Sequence, residues 1–457
     1  MRRSLFILMS MIAAGCTSTS ELSTRDQKVK LITLDPGHFH SALVQKSMYA
    51  DVDSVVYVYA PEGTDVQLHL EKIDLYNKRA DDPTKWKEEI YLGDDFFQKM
   101  LSEKKGNVVM LAGNNLKKTE YIKRSIDAGF NVYADKPMAI DAKSFEELRE
   151  AFSLAEKKKL LLYDIMTERF EITTMLQKEF SLIPEVFGTL EKGTPENPAV
   201  TKESIHHFYK FVSGSPLTRP AWFMDVAQEG DGIVDVTTHL VDLIQWECFP
   251  DQTLDYTKDI QLNSSSRYPT DITLSQFKAI TKVDQFPDYL QKYVERDSIL
   301  KVYSNGEFNY KIRGVHAKVS VKWAYKAPEG TADTHYSIMR GTLANLIIRQ
   351  GAEQQYKPAL YIEPVDGATN DYSDQLAAKI KDVQTKFPGV ELKKLDKGWE
   401  VIVPDKYKEG HEAHFARVTE KFLEYLKKGN IPDWEVPNMI AKYYTTTQAL
   451  EMAKKNK

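Results

Sequence analysis

A strand, a helix and a second strand between residues 107 and 140 constrain this chain more than any other stretch. Residues 131–140 read Asn-Val-Tyr-Ala-Asp-Lys-Pro-Met-Ala-Ile, a strand-like run that ends at Asp135-Lys136-Pro137. Upstream, residues 107–115 read Asn-Val-Val-Met-Leu-Ala-Gly-Asn-Asn, a second strand that ends in small and polar residues, among them Gly113 and Asn114. Residues 117–129 between them read as a helix stopped by Gly129. This is a β-α-β unit with its polar residues at the carboxyl ends of the strands, where open α/β sheets bind ligands. A lysine held there by a following proline is placed to meet a substrate.

The same alternation runs on both sides of this unit. Strands are expected at 29–34, 54–59, near Val108, near Val132 and at 160–165, and helices at 40–49, 65–76, 96–104, 117–129 and 144–156. Such a pattern predicts a doubly wound parallel sheet, a Rossmann domain, over residues 28–166. From Thr167 onward strand-like runs dominate, at 203–212, 274–280, 299–303, 307–312, 316–324 and 336–340. They predict a large, mostly antiparallel open sheet. Runs at 346–349 and 360–363 extend it, followed by a helix at 371–387, a hairpin at 390–403, a helix at 412–428 and a tail over 443–453. The fold class is therefore α/β followed by α+β. Residues 167–457 form the second domain, elaborated at about 350–408. A chain of 457 residues is too long for one ordinary core.

The turn after the first strand reads Leu34-Asp35-Pro36-Gly37-His38-Phe39-His40. A dinucleotide fold should show G-x-G-x-x-G or A here. Asp35 replaces the first glycine, Gly37 keeps the second and His40 replaces the third. Gly37 is where backbone must approach a pyrophosphate. A carboxylate at Asp35 repels that group unless it turns away to cap the helix. His38 and His40 can offset the repulsion by donating to phosphate. His-x-His after a strand is also a metal-hydrolase pattern. No second carboxylate or histidine cluster with ligand spacing completes such a site in the sequence, so no metal is expected. The second strand ends Tyr59-Ala60-Pro61-Glu62, without the Arg or Lys that would receive a 2′-phosphate. NAD is favoured over NADP on that ground, with Glu62 near the ribose.

Residues 229–242 read Glu-Gly-Asp-Gly-Ile-Val-Asp-Val-Thr-Thr-His-Leu-Val-Asp. Asp235 and His239 stand four apart and share a face if the segment is helical. A carboxylate beside an imidazole raises its pKa and orients it, as a general base requires. Such a pair alone is better read as a structural surface pair.

Taken together, Asp135-Lys136-Pro137 and the 229–242 run resemble the Gfo/Idh/MocA oxidoreductases, the glucose–fructose oxidoreductase and inositol dehydrogenase family. The Glu-Lys-Pro signature of that family has Asp135 here in place of Glu. Its G-G-G-x-x-x-D-x-G-x-H-x-x-D run is matched at Gly230, Gly232, Asp235, His239 and Asp242. The resemblance implies a catalytic set of Lys136, Asp235 and His239. His239 would take a hydroxyl proton, and Lys136 would polarise the oxygen, aided if burial lowers its pKa. Asp235 would support the site electrostatically. The resemblance further places a cofactor against Asp35, Gly37, His38, Phe39, His40, Glu62, Gly113, Asn114, Asp135, Lys136 and Pro137. Arg169, His206, Arg219 and Trp222 are candidate substrate contacts, Trp222 by stacking on a sugar ring; each is at least as well read as a structural residue. His335, His411 and His414 lie in no motif and read as structural. Segments such as Asp433-Trp434-Glu435-Val436-Pro437 resemble a lipoprotein subgroup from glycan-degrading bacteria.

The first sixteen residues stand apart. Arg2-Arg3 precede an apolar run at 5–14 too short to span a bilayer permanently, and Ala13-Ala14-Gly15-Cys16 resembles a lipobox. Residues 1–16 are then a lipoprotein signal peptide, Cys16 the lipidated mature terminus and 17–27 a polar tether. The expected location is the periplasmic face of a bacterial membrane, through a lipid anchor only. Cys248 is the remaining thiol, expected buried and inert. A formal charge of −5 and the lack of a long basic run argue against nucleic acid.

The reading these features favour is an exported NAD-dependent oxidoreductase acting on a secondary hydroxyl of a sugar or glycoside, at C3 by subgroup resemblance. A tightly bound cofactor would be recycled by a second carbonyl substrate, and a homo-oligomer is expected. Two alternatives stay open: an NAD-assisted redox and elimination glycosidase, and a non-catalytic sugar-binding lipoprotein on a degenerate Rossmann scaffold.

Overall fold

The structure, a computed structural model, describes residues 28–455 apart from 213–214, 297 and 366–369. Cys16, the leader and the tether lie outside the described residues. Six strands build the first sheet: β1 (Leu31–Leu34), β2 (Val55–Ala60), β3 (Lys87–Leu92), β4 (Val108–Leu111), β5 (Asn131–Asp135) and β6 (Leu162–Ile165). Their order is β3-β2-β1-β4-β5-β6, all parallel. Order reverses between β1 and β4, so the ends of these two strands and of β5 open the crevice where such sheets bind ligands. β1, β4 and β6 are buried at every residue, as strands covered by helices on both faces must be. The connecting helices are α1 (His40–Leu43), α2 (Thr64–Lys78), α3 (Phe96–Glu103), α4 (Lys118–Asp127) and α5 (Ala142–Lys158). α5 starts at a capping box in which the Asp141 carboxylate accepts from the Ser144 amide. α4 ends before Gly129, whose φ of 98° needs a residue without Cβ.

Two expectations for this half are corrected. The helix expected over 40–49 is a single turn, α1. β3 was not foreseen, because Lys-Glu-Glu-Ile-Tyr-Leu carries three charges; it is an exposed edge strand that needs no apolar alternation.

After α6 (Ile172–Ser181) and α7 (Pro184–Phe187) the chain enters the second sheet through β7 (Val200–Tyr209). A short hairpin follows, β8 (Phe211–Val212) and β9 (Ser215–Pro216), then α8 (Thr237–Cys248) and α9 (Tyr256–Asp259). Next come β10 (Ile260–Thr273), α10 (Leu274–Thr281), β11 (Val294–Glu295), β12 (Ile299–Ile312), β13 (Val315–Lys326), β14 (Thr334–Arg340), β15 (Ala344–Gln350) and β16 (Ala359–Pro364). α11 (Asn370–Lys386), β17 (Glu391–Leu395), β18 (Gly398–Ile402), α12 (His411–Lys428) and α13 (Glu435–Lys455) complete it. The sheet has ten strands, with β10-β12-β13-β7-β14-β15-β16-β18-β17 as its path and β11 beside β12. Only β13 and β7 pair in parallel.

The strand expected at 274–280 is the helix α10. Leu274, Phe277 and Ile280 recur every third residue, and Thr273 with Gln276 forms a capping box. β10 was missed because its Asn-Ser-Ser-Ser run is polar; its register shifts across Pro269, where a strand proline is tolerated. The two runs at 299–303 and 307–312 are one strand, β12. α12 and α13 return to the first sheet, where Phe415, Val418, Phe422 and Tyr443 join its core. No helix among the described residues is long and apolar enough to cross a membrane.

Candidate active site

The first turn folds down onto the end of β4. The amides of Gly37 and His38 both donate to the Ala112 carbonyl, at 3.2 and 3.1 Å. Asp35 takes a left-handed conformation, φ 47°, and its carboxylate accepts from the Tyr121 hydroxyl at 3.2 Å. Burial raises the pKa of that carboxyl. The turn can lie this close because Gly113 has no side chain: a Cβ there would stand 2.2 Å from the Asp35 carbonyl oxygen. Above Gly37 sit the Trp222 ring and the Asp65 carboxylate, joined by a 2.7 Å hydrogen bond from the Trp222 Nε1. Asp35 therefore does not cap α1, and Trp222 covers the turn with its polar edge already committed.

His38 and His40 do not face outward as phosphate donors. The His40 Nδ1 lies 2.9 Å and the His38 Nδ1 3.4 Å from the Asp135 carboxylate at the end of β5. Burial pushes both imidazoles toward the neutral form; burial would also protonate Asp135, but His40, His38 and Lys118 outweigh it and keep it ionised. The Lys118 Nζ donates to the backbone oxygen of Asp135, at 3.1 Å. Burial lowers the pKa of that lysine to about 8.

Lys136 reaches the other way, to the Asp235 carboxylate at 2.5 Å. Burial alone would depress its pKa, but Asp235 and Asp135 outweigh it and the net shift is upward. Burial therefore does not lower it, and Lys136 keeps its charge beside Asp235. α8 begins at Thr237, so Asp235 sits in the preceding turn and its carboxylate serves Lys136, with no hydrogen bond to His239. His239, on the first turn of α8, has its pKa pushed well down by burial and by Lys136. Its Nδ1 is buried without a hydrogen-bond partner.

The other foreseen residues divide. Arg169 is enclosed: its guanidinium forks onto Asp242 at 2.6 and 2.7 Å and onto Glu435 at 3.0 and 3.1 Å. It is a buried strut and is not available as a substrate contact. Asn114 is tied to Gln228 at 2.7 Å, and Glu62 is exposed at the head of α2. His206 and His207 converge with Lys210 on Asp333, and His206 packs on Trp323. Arg219 lies over Phe223 and Trp323 and donates to the Phe208 carbonyl, with burial lowering its pKa to about 10. It lines a cleft of about 200 Å³ together with Gly37, His38, Phe39, Asp65 and Lys72.

Sequence reasoning missed Lys118, Glu229, Lys210 and Asp333. Burial, with Asp235 beside it, raises the Glu229 pKa well above the usual range, and the Asn115 amide donates to it at 3.2 Å. Glu229 opens the glycine-rich run, which was the one available signal. Asp333 lies outside every motif and is brought in by β14 pairing with β7.

A six-stranded parallel Rossmann-type sheet followed by a large, mostly antiparallel sheet matches the fold of the Gfo/Idh/MocA dehydrogenases. Residues 176–454 match the family described as "Putative oxidoreductase C terminal domain", and the chain belongs to that family. It is similar to the crystal structure of a "putative oxidoreductase" from Parabacteroides merdae, with 58% identity and a TM-score of 0.92, over 94% of this chain and 98% of that one. Levoglucosan dehydrogenase in complex with NADH and L-sorbose shares the fold at 12% identity and a TM-score of 0.58, over 94% and 97% of the two chains. A 3-ketoreductase from Actinomadura kijaniata in complex with NADP and TDP-benzene does so at 12% identity and 0.54, over 92% and 96%. No curated protein sequence matches this chain.

Proposed function

We propose that the protein is an oxidoreductase that interconverts a secondary alcohol and a ketone on a sugar or glycoside, at C3, with a nicotinamide cofactor. The observation that carries this reading is the charged Lys136, paired to Asp235 at 2.5 Å, beside a neutral His239 with an unpartnered Nδ1. A neutral imidazole can accept the hydroxyl proton, and a lysine charge stabilises the alkoxide left behind. Asp235 holds that lysine charged and aimed. A bound nicotinamide supplies the hydride acceptor. The sugar class is supported by the levoglucosan dehydrogenase and the 3-ketoreductase that share the fold. NAD is favoured over NADP because β2 ends at Ala60 and is followed by Pro61-Glu62, without a basic residue.

Lys136 and His239 fit a nicotinamide at the catalytic end, whereas the first turn lies closed against the end of β4. The Gly37 and His38 amides donate to Ala112, Trp222 covers Gly37, and α1 is one turn long. This closed turn favours a second reading, a cofactor-free sugar-binding protein. The run Ala13-Ala14-Gly15-Cys16 supports an exported, lipid-anchored location for either.

One experiment separates the two. The full chain is denatured and its supernatant searched for NAD by mass spectrometry; hydride transfer is then followed at the nicotinamide absorbance with a glucoside as donor. The oxidoreductase predicts bound or titratable cofactor. His239→Ala should slow turnover by roughly 10²–10⁴-fold, and Lys136→Met by a comparable or larger factor, with cofactor binding retained in both. No nucleotide and no binding on titration would leave the sugar-binding reading. Undiminished rates in both variants would move the active site elsewhere.

A further inference from the structure

The two halves of the sequence that depart from the dinucleotide pattern meet in space. His40 stands where the third glycine of the turn belongs, and Asp135 where the family motif carries a glutamate. In the folded chain His38, His40 and Asp135 each bring one ligand-type atom to a common point, all within 4.8 Å of one another. Among the described residues this is the only such group of three. We propose that these three side chains form a binding site for a divalent transition-metal ion, independent of the nicotinamide reading.

Four observations carry the proposal. The first is donor chemistry: two imidazoles and one carboxylate suit zinc and its first-row neighbours, and three protein ligands leave a position open. The second is spacing. Tetrahedral ligands about 2.1 Å from a metal lie roughly 3.4 Å apart. The His38 Nδ1 is 3.4 Å from the Asp135 carboxylate and the His40 Nδ1 2.9 Å, so a small outward rotation of one ring admits an ion. The third is weak partnering: the buried His38 Nδ1 meets only the Asp135 carboxylate, at 3.4 Å and outside good hydrogen-bond geometry. The fourth is charge. The Asp135 carboxylate is buried, yet among the described residues no lysine or arginine forms an ion pair with it. Lys118 serves its backbone oxygen instead, and Lys136 is taken by Asp235.

The other histidine cluster differs on this last point. There Lys210 already neutralises Asp333, at 3.1 Å, so that site has no vacancy for a cation. His38 also lines the cleft beside Arg219, which puts the open metal position within reach of a ligand entering there. With Lys118 and Lys136 close by, the incoming ligand would be an oxygen anion, such as hydroxide, a carboxylate or an alkoxide.

The test uses the full chain, stripped with a chelator and dialysed. Titration with Zn²⁺ alone, read by calorimetry, should show one equivalent bound. Co²⁺ in its place should give a visible d–d spectrum of nitrogen and oxygen ligation. His40→Ala and Asp135→Asn should each weaken Zn²⁺ binding by roughly 100-fold or more, and His206→Ala should leave it unchanged. Because the buried variants risk unfolding, His38→Gln, at the cleft wall, is the second probe; it should lose at least about tenfold with an unchanged circular dichroism spectrum. Zn²⁺ binding of equal strength in wild type, His38→Gln and His40→Ala would overturn the site. So would loss of binding in His206→Ala alone. A negative outcome here leaves cofactor binding and hydride transfer untouched, so the two readings fail separately.

Discussion

Glu88 shows how much one buried oxygen costs at the residue scale. One of its carboxylate oxygens accepts from the Gln45 amide at 2.7 Å, and the other is buried with no partner. Burial raises its pKa to about 7 from an ordinary 4.5, against the opposing Gln45 bond. The folded state therefore holds a proton that the unfolded chain has lost over the window from about 4.5 to about 7. By linkage, this group makes stability fall as pH rises through that window, and the loss is complete above it. Glu88→Gln removes the charge and keeps the hydrogen bond to Gln45. It should leave stability unchanged near pH 4, where both forms are neutral, and add on the order of 2 kcal/mol at pH 8. Urea melts of both proteins at the two pH values check this; an equal gain at both would place the effect in packing. The same scale explains what the sequence could say of the candidate site. Lys136, Asp235 and His239 sit in local motifs and are legible in the sequence. Their pairing is not: Asp235 goes to Lys136, because the helix starts two residues too late to align it with His239. The Asp135 partnership with His40 joins residues 95 apart in the chain, His38 joins it from the same turn, and no local pattern encodes either contact.

At the element scale, legibility followed burial. β4 and β5 read as strands because apolar runs between two helical layers leave no ambiguity. β3, at an exposed edge, and β10, polar and broken at Pro269, carry no such signal. α10 was mistaken for a strand because seven mixed residues satisfy either period, and only the capping box decides. α12 was foreseen as a helix, but not its destination. Its buried residues His414, Phe415, Val418, Thr419 and Phe422 form one stripe, which lies on the first sheet. Phe422 stacks on Tyr133 of β5, with ring centroids 4.5 Å apart. Tyr133 in turn lies two residues before Asp135, so α12 backs the strand that presents the site. Phe422→Ala should cost about 3–5 kcal/mol of stability. Thermal unfolding followed by near-ultraviolet circular dichroism measures it; a loss below 1 kcal/mol would mean the cavity collapses freely.

For the molecule as a whole, the question is what joins the two sheets. The answer is a buried ionic network strung along α13. The Lys442 ammonium lies 2.6 Å from Asp164 of β6 and 2.9 Å from Asp242 of α8, and is fully buried. Asp242 and Glu435 together hold Arg169, on the turn after β6. Asp164 also accepts from the Tyr443 hydroxyl at 2.9 Å. Each carboxylate in the network thus touches at least one cation, which is the condition for burying charge at all. Asp242, held well below the usual carboxylate range by Arg169 and Lys442 against the pull of burial, is the shared member. It stands three residues after His239, so the network that ties the sheets also fixes the helix carrying the candidate base. Removing one cation leaves Asp164 and Asp242 facing each other through a low-dielectric gap. Lys442→Met should therefore destabilise the protein by about 3–5 kcal/mol, although the methionine fills much the same space. The triple change Lys442→Met, Asp164→Asn, Asp242→Asn removes the stranded charges with their partner but frees Arg169. It should recover part of the loss, the remainder being the cost of Arg169 with Glu435 alone. Denaturant melts of the three proteins decide the matter. If the single variant matches wild type, the network is not what couples the sheets, and α13 does so by apolar contact alone.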